Sequence, residues 1–80
     1  NQRFTLQPSG AVTAYDGALC LDVQGGRANN GDAVVLWTCH GGANQRWTRT
    51  AAGQLRTAVN GKCLDVYGSR VGAKLQVYTC

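Results

Sequence analysis

Methionine and glutamate are both missing from this chain, and histidine and proline occur once each. Without methionine the chain does not begin at an initiator, so it is expected to be processed, excised or part of something longer. Without glutamate, Asp16, Asp22, Asp32 and Asp65 are the whole carboxylate inventory. Acid–base cleavage by paired carboxylates needs two of them facing one bond. A nucleophile elbow needs a serine on a sharp glycine-flanked turn, and neither Ser9 nor Ser69 has that setting. The inventory argues against a catalytic domain and asks for no cofactor. No apolar run approaches the length of a membrane span, and no charged-then-apolar leader is read in the residues given, so no membrane partner is expected. The formal charge is +4, but Arg3, Arg27, Arg46, Arg49, Arg56, Lys62, Arg70 and Lys74 are scattered singly. A nucleic-acid groove wants a basic stripe interleaved with aromatics. A mildly basic solvated surface is the simpler reading, with no nucleic-acid partner.

What the chain does have is glycine, cysteine and self-similarity. Eighty residues bury a thin core and usually need staples or partners. Four cysteines in a small glycine-rich chain point to an oxidising, secreted and extracellular setting. Laying Asn1 over Asn44 aligns Asn1-Gln2-Arg3-Phe4 with Asn44-Gln45-Arg46-Trp47. In the same register Thr5 meets Thr48, Gly10 meets Gly53, and Cys20-Leu21-Asp22-Val23 meets Cys63-Leu64-Asp65-Val66. Gly25 and Arg27 then meet Gly68 and Arg70. One short deletion later, Gly31 meets Gly72 and Leu36-Trp37-Thr38-Cys39 meets Val77-Tyr78-Thr79-Cys80. Short motifs recurring in one order at nearly one spacing are a repeat.

Locally the chain reads as β. Cys20-Leu21-Asp22-Val23 alternates, with Leu21 and Val23 on one face and Asp22 outward on the other. Val34 and Leu36 point inward if Trp37 points outward, and Arg3–Leu6 and Arg46–Arg49 look like further strands. Between these runs stand Pro8-Ser9-Gly10, Asp16-Gly17, Gly25-Gly26, Asn29-Asn30-Gly31-Asp32, Gly41-Gly42, Asn60-Gly61 and Gly68-Ser69, which is turn chemistry at short intervals. No segment shows helical periodicity with caps.

The order Cys-Leu-Asp-Val, then Leu-Trp-Thr-Cys-His-Gly-Gly-Ala-Asn-Gln-Arg-Trp, resembles the ricin B-type lectin repeat of the family 13 carbohydrate-binding modules, which are appended to many bacterial glycoside hydrolases. The family's Gln-x-Trp hallmark is present as Gln45-Arg46-Trp47 and weakened to Gln2-Arg3-Phe4. The resemblance implies an all-β fold, the β-trefoil, with three units of about forty residues around a pseudo-threefold axis. This chain departs from it by holding about two units, repeat 1 over about 1–43 and repeat 2 over about 44–80, as a single partial module. Two units leave open sheet edges. Either the chain is an interior stretch of a longer three-unit domain, or three copies pool six units into two trefoils. The first needs no special assembly and is the preferred expectation.

The repeat and the resemblance together select one disulfide within each unit, Cys20–Cys39 and Cys63–Cys80, from the three pairings four cysteines allow. A zinc site including His40 is disfavoured because no Cys-x-x-Cys is present. The function implied is non-catalytic carbohydrate binding, as a lectin or as a module of a secreted glycoside hydrolase. A pyranose asks for a carboxylate accepting two hydroxyls, an aromatic ring under its C–H face, and amide or imidazole groups at its edge. By resemblance the ligand-contacting positions of the first unit are Asp22 (carboxylate), Trp37 (platform), His40 and Asn44, with Gln45 supporting them from behind. Trp47 and Phe4 are assigned to the core. At Val35 some members of the family carry glutamine. The second unit keeps Asp65, Gln76 and Tyr78, and its missing edge is expected from sequence beyond Cys80 or from Asn1 of a neighbouring copy. The sugars the family suggests are of the galactose, xylose or arabinose type, with β-glucan also open. The alternative is a structural or protein-binding trefoil whose sugar sites are vestigial; it is separated by whether Asp22, Trp37 and Asn44 meet in one solvent-facing pocket.

Overall fold

The computed structural model describes residues 4–67 and 74–80. Eight strands follow in order: β1 (Thr5–Leu6), β2 (Val12–Ala14), β3 (Leu19–Val23), β4 (Val34–Thr38), β5 (Trp47–Arg49), β6 (Leu55–Thr57), β7 (Cys63–Tyr67) and β8 (Lys74–Tyr78). A single 3₁₀ turn, Ala43–Gln45, separates β4 from β5. The strands form two antiparallel four-stranded sheets, β1-β2-β3-β4 and β5-β6-β7-β8, each made only of sequence neighbours. The long hairpins of the two sheets keep the same register: Asp22 faces Val35 across β3 and β4, and Asp65 faces Gln76 across β7 and β8. Cys20–Cys39 and Cys63–Cys80 are bridged, one disulfide closing each unit.

The core lies between the sheets. Leu21, Val23 and Val34 supply the inward positions of β3 and β4, and Val12, Ala28, Trp47 and Val77 join them. Leu36 packs against this cluster while Trp37 beside it is 60% exposed, the alternation expected of a strand with one buried face. Trp47 belongs to the second sheet but is 3% exposed under the first, its indole N–H donating to the Leu21 carbonyl at 3.2 Å. The two sheets are also tied by backbone. Trp47 N–H donates to Gly10 O at 2.8 Å, Gly31 N–H to Val77 O at 2.8 Å, and Val77 N–H to Asp32 O at 3.0 Å. Gly10 must be glycine there: its φ is +96° and a Cβ would sit 3.1 Å from the Trp47 carbonyl oxygen. Asn60 Nδ2 donates to Ala28 O, and Asn30 Oδ1 accepts from the Thr79 backbone N–H and hydroxyl, closing the seam at its edges.

Three expectations need correction. Phe4 is not core: it is 46% exposed, although its repeat mate Trp47 is buried. Trp47 is covered because the first sheet stands in front of it, and no described residue stands in that place in front of Phe4. Of the strand expected over Arg3–Leu6, Thr5–Leu6 is strand and Phe4 is not, while Asn1, Gln2 and Arg3 lie outside the described residues. The Gly68-Ser69 turn, Arg70 and Gly72 lie outside them too. The third correction concerns Asp22. It does point to the opposite face from Leu21 and Val23, but it is 6% exposed rather than open to solvent, because the chain after β4 folds back over it. Strands β2 and β6, three residues each, were not anticipated; their existence depends on neighbours on both sides rather than on local pattern.

Candidate carbohydrate site

In an antiparallel pair, directly opposed residues share a face. Cys20 opposes Trp37 and Asp22 opposes Val35, so the disulfide, the tryptophan ring, the carboxylate and the valine lie together on the outer face of the β3–β4 hairpin. Past Thr38 the chain leaves the sheet through Cys39 and His40, turns at Gly41, whose φ is +76°, and returns through the 3₁₀ turn. That return sets Asn44 and Gln45 over Asp22.

Gln45 is the hinge of the arrangement. It is 1% exposed, and its amide makes three hydrogen bonds. Nε2 donates to Asp22 Oδ2 at 2.8 Å and to Thr38 O at 2.9 Å, while Oε1 accepts the His40 backbone N–H at 2.8 Å. One side chain thus holds the carboxylate, the end of β4 and the start of the turn. Asn44 Nδ2 donates to the other carboxylate oxygen, Asp22 Oδ1, at 3.0 Å. The His40 ring accepts the Gly42 N–H on Nδ1 at 3.0 Å, so the neutral imidazole carries its proton on Nε2. Nε2 faces Asp22 Oδ2 at 3.5 Å. Gly42 leaves room for this: a Cβ there would lie 2.8 Å from His40 Cε1 and 3.0 Å from Asn44 Oδ1.

Asp22, Gln24, Gly25, Val35, Trp37, His40 and Asn44 line a cleft of about 280 Å³. Asp22 at its floor spends about two of its four acceptor positions on Asn44 and Gln45, leaving the rest for donors on a ligand. Trp37 stands at the side with its ring open to solvent. The set therefore offers an anionic acceptor, a flat apolar surface and two polar groups within one small space. Asp22, Trp37, His40 and Asn44, proposed from the sequence, all line the cleft, and Gln45 lies beneath it. Gln24 and Gly25 were not anticipated. The signal for Gln24 was the period of two, which carries the face of Cys20 and Asp22 on to residue 24.

The second unit is arranged differently. Gln76 Nε2 donates to Asp65 Oδ2 at 2.8 Å, and Tyr78 is 48% exposed. Asp65 and Tyr78 line a cleft of about 220 Å³ with Gln54 and the Cys63–Cys80 bridge, while Gln76 lies outside that lining. In the repeat alignment the counterparts of His40, Asn44 and Gln45 would follow Cys80, beyond the residues given.

Comparison with known proteins identifies the family and the fold. The family model for the ricin-type beta-trefoil lectin domain matches residues 1–80. Agglutinin-1 of Abrus precatorius is 36% identical over 76 residues, 92% of this chain and 13% of its own length. Beta-galactoside-specific lectin 2 of Viscum album is 33% identical over 78 residues, 95% of this chain and 13% of its own length. The chain thus spans about an eighth of the curated relatives it matches. Among solved structures, the designed 3-fold symmetric protein ThreeFoil superposes with a TM-score of 0.83 at 26% identity, covering 99% of this chain and 62% of that one. The fold is a β-trefoil, of which this chain holds about two of the three units, and the chain belongs to the ricin-type β-trefoil lectin domain family.

Proposed function

We propose that this chain is a secreted, non-catalytic carbohydrate-binding module, with its better-formed site in the first unit. The observation that carries the reading is the meeting of Asp22, Trp37, His40 and Asn44 in one cleft with Gln45 behind them. Asp22 accepts a pair of sugar hydroxyls, Trp37 stacks on the C–H face of the ring, and His40 and Asn44 close over its edge. The names of the Viscum album lectins speak for galactosides, and the xylose, arabinose and β-glucan alternatives are tested beside them. Asp65 and Tyr78 make a second, partial site, with Gln76 holding the Asp65 carboxylate from outside the cleft. Single contacts of this kind are weak, so several sites per assembly supply avidity. The rest of the natural polypeptide decides between a free lectin and the targeting module of a glycoside hydrolase, and an intact mass of the natural protein measures it. The test of binding is affinity electrophoresis through immobilised galactan, arabinoxylan and β-glucan. Retardation by at least one glycan, relieved by the free sugar and absent in Asp22→Asn, is expected; free migration in every gel counts against the reading.

One observation favours a second reading, in which the cleft is vestigial and the trefoil is structural or protein-binding. Asp22 is buried and both of its oxygens already have donors, as a purely structural carboxylate would. In that case Asp22→Asn lowers stability and no glycan retards the parent.

We also place the third unit outside these residues, in a longer polypeptide or in neighbouring copies. Val66 is 59% exposed where its repeat mate Val23 is fully buried, and Phe4 is exposed where Trp47 is buried. Residues 1–80 act on this reading as one partial module of two repeats.

A further inference from the structure

We propose that His40 makes the first-unit cleft a pH-sensitive sugar site, which binds with a neutral imidazole and releases its ligand as the ring takes up a proton. The inference rests on the carbohydrate reading of the cleft and adds its regulation. His40 is the only histidine of the chain, and histidine is the side chain whose charge changes between about pH 5 and 8. Its side chain is 48% exposed, so a proton reaches it from solvent. Both ring nitrogens are engaged: Nδ1 accepts the Gly42 N–H at 3.0 Å, and Nε2 faces Asp22 Oδ2 at 3.5 Å. Among the described residues, Asp22 is the one charged group against the ring. Gln24, Gly25, Val35, Trp37 and Asn44, the rest of the cleft lining, are neutral. Arg46 lines a separate groove with Leu6 and Pro8, and Arg56 stands on β6 across from Thr48 and Cys63 in the second sheet. Asp16 belongs to the turn between β2 and β3, outside the cleft lining.

A proton arriving on Nδ1 acts on the site in two ways. An imidazolium has a donor on each nitrogen and no acceptor, so the Gly42 N–H, until then held by a lone pair, meets another N–H. One of the two groups must move. Gly42 caps the 3₁₀ turn, and its carbonyl accepts the Gln45 N–H at 2.9 Å. A shift at Gly42 is therefore passed to Asn44 and Gln45, the two side chains that hold the Asp22 oxygens. The ring also gains a full positive charge beside a buried carboxylate, and the attraction draws Nε2 onto Oδ2. Oδ2 already accepts from Gln45, so the imidazolium takes an acceptor position that a sugar hydroxyl would use. Sugar and proton thus compete for one carboxylate. Because such coupling is reciprocal, sugar binding in turn expels the proton.

The experiment measures, by calorimetry, binding of the methyl glycosides of galactose, L-arabinose, xylose and glucose to the full natural protein and to its His40→Asn, His40→Gln and Asp22→Asn variants, across the range from about pH 5 to about pH 8. In the parent, affinity for whichever sugar binds is expected to fall about tenfold from the top of that range to the bottom, the worth of one hydrogen bond to a charged acceptor. Asparagine at position 40 can set a carbonyl oxygen where Nδ1 accepts and does not titrate; glutamine is a second neutral replacement should the first misfold. Both His40 variants are expected to bind more weakly than the parent at the upper end and to lose the slope. The slope is read within each variant, so a uniform loss of affinity cancels. Without sugar, the Gly42 amide resonance of the parent is expected to titrate in the same window and to stay in place in both variants. If the parent's affinity is flat or rises on acidification, or if the slope persists in both His40 variants, while Asp22→Asn weakens binding, the switch is overturned and the site stands. If no sugar binds the parent at any pH, the carbohydrate reading falls and the switch with it.

Discussion

At the scale of the residue, burial and role do not run in parallel. Asp22, the proposed sugar acceptor, is 6% exposed and holds two amides, whereas Trp37, the proposed platform, is 60% exposed. Asp22→Ala removes a charged acceptor from Asn44 and Gln45 and leaves their amides short of partners, at a cost of about 2–4 kcal/mol. Trp37→Ala strips a mostly exposed ring and costs about 1 kcal/mol or less. Both should abolish glycan retardation. Thermal melts beside affinity gels therefore separate them, and a larger loss of stability for Trp37→Ala would contradict the placement of the two side chains. Gly42→Ala probes the polar edge. Its backbone φ of −69° suits any residue, but the new methyl meets the His40 ring and the Asn44 amide. We expect an unchanged melt within about 1 kcal/mol and weaker binding by several fold. An unaffected affinity would show that His40 and Asn44 do not need their present positions.

At the scale of the element, the first four-stranded unit is stapled by its disulfide and plugged by Trp47, the aromatic that opens the second. Removing one bridge as Cys20→Ser with Cys39→Ser should lower stability by about 3 kcal/mol, because the loop it closes regains freedom in the unfolded chain. Chemical denaturation of the double variant against the parent measures it, and a loss near zero would mean that the unit needs no staple. The plug is tested by a pair of repeat mates. Trp47→Ala empties a buried position and forfeits the indole bond to Leu21, an expected cost of about 3–5 kcal/mol. Phe4→Ala trims a half-exposed ring and should cost less than about 1.5 kcal/mol in this chain alone. Equal losses would mean that Phe4 is seated in a socket in solution, as happens when another unit covers it.

At the scale of the whole molecule, two units make the fold recognisable without closing it. Phe4, Leu6 and Val66 remain open on a small chain. Purified alone, residues 1–80 should sediment as an assembly larger than a monomer or unfold at low denaturant. A compact, stable monomer in sedimentation and calorimetry would show that two units suffice. If the chain does associate, the mutation Phe4→Ala should shift the equilibrium toward smaller species.

Much of this was legible in the amino-acid order, for physical reasons that are local or periodic. Alternation along residues 20–23 and 34–37 placed Leu21, Val23 and Val34 inward and Trp37 outward. The repeat selected the Cys20–Cys39 and Cys63–Cys80 bridges and marked Asp22 and Asp65 as equivalent positions. Glycines at turns of positive φ, such as Gly10 and Gly61, announced where strands end. Only the tertiary structure decided the rest, because it depends on what stands in front of each residue. Asp22 reads as solvent-facing from its strand, and it is buried because Asn44 and Gln45, more than twenty residues away in sequence, fold over it. Trp47 and Phe4 occupy matching positions, and one is core and the other surface because a neighbouring sheet covers the first alone. The difference between Val35 and Gln76 is plain in the sequence, but only the strand register shows that each faces its unit's carboxylate across the sheet. Periodicity sets which face a side chain takes; packing between units sets whether that face meets water, a ligand or another chain.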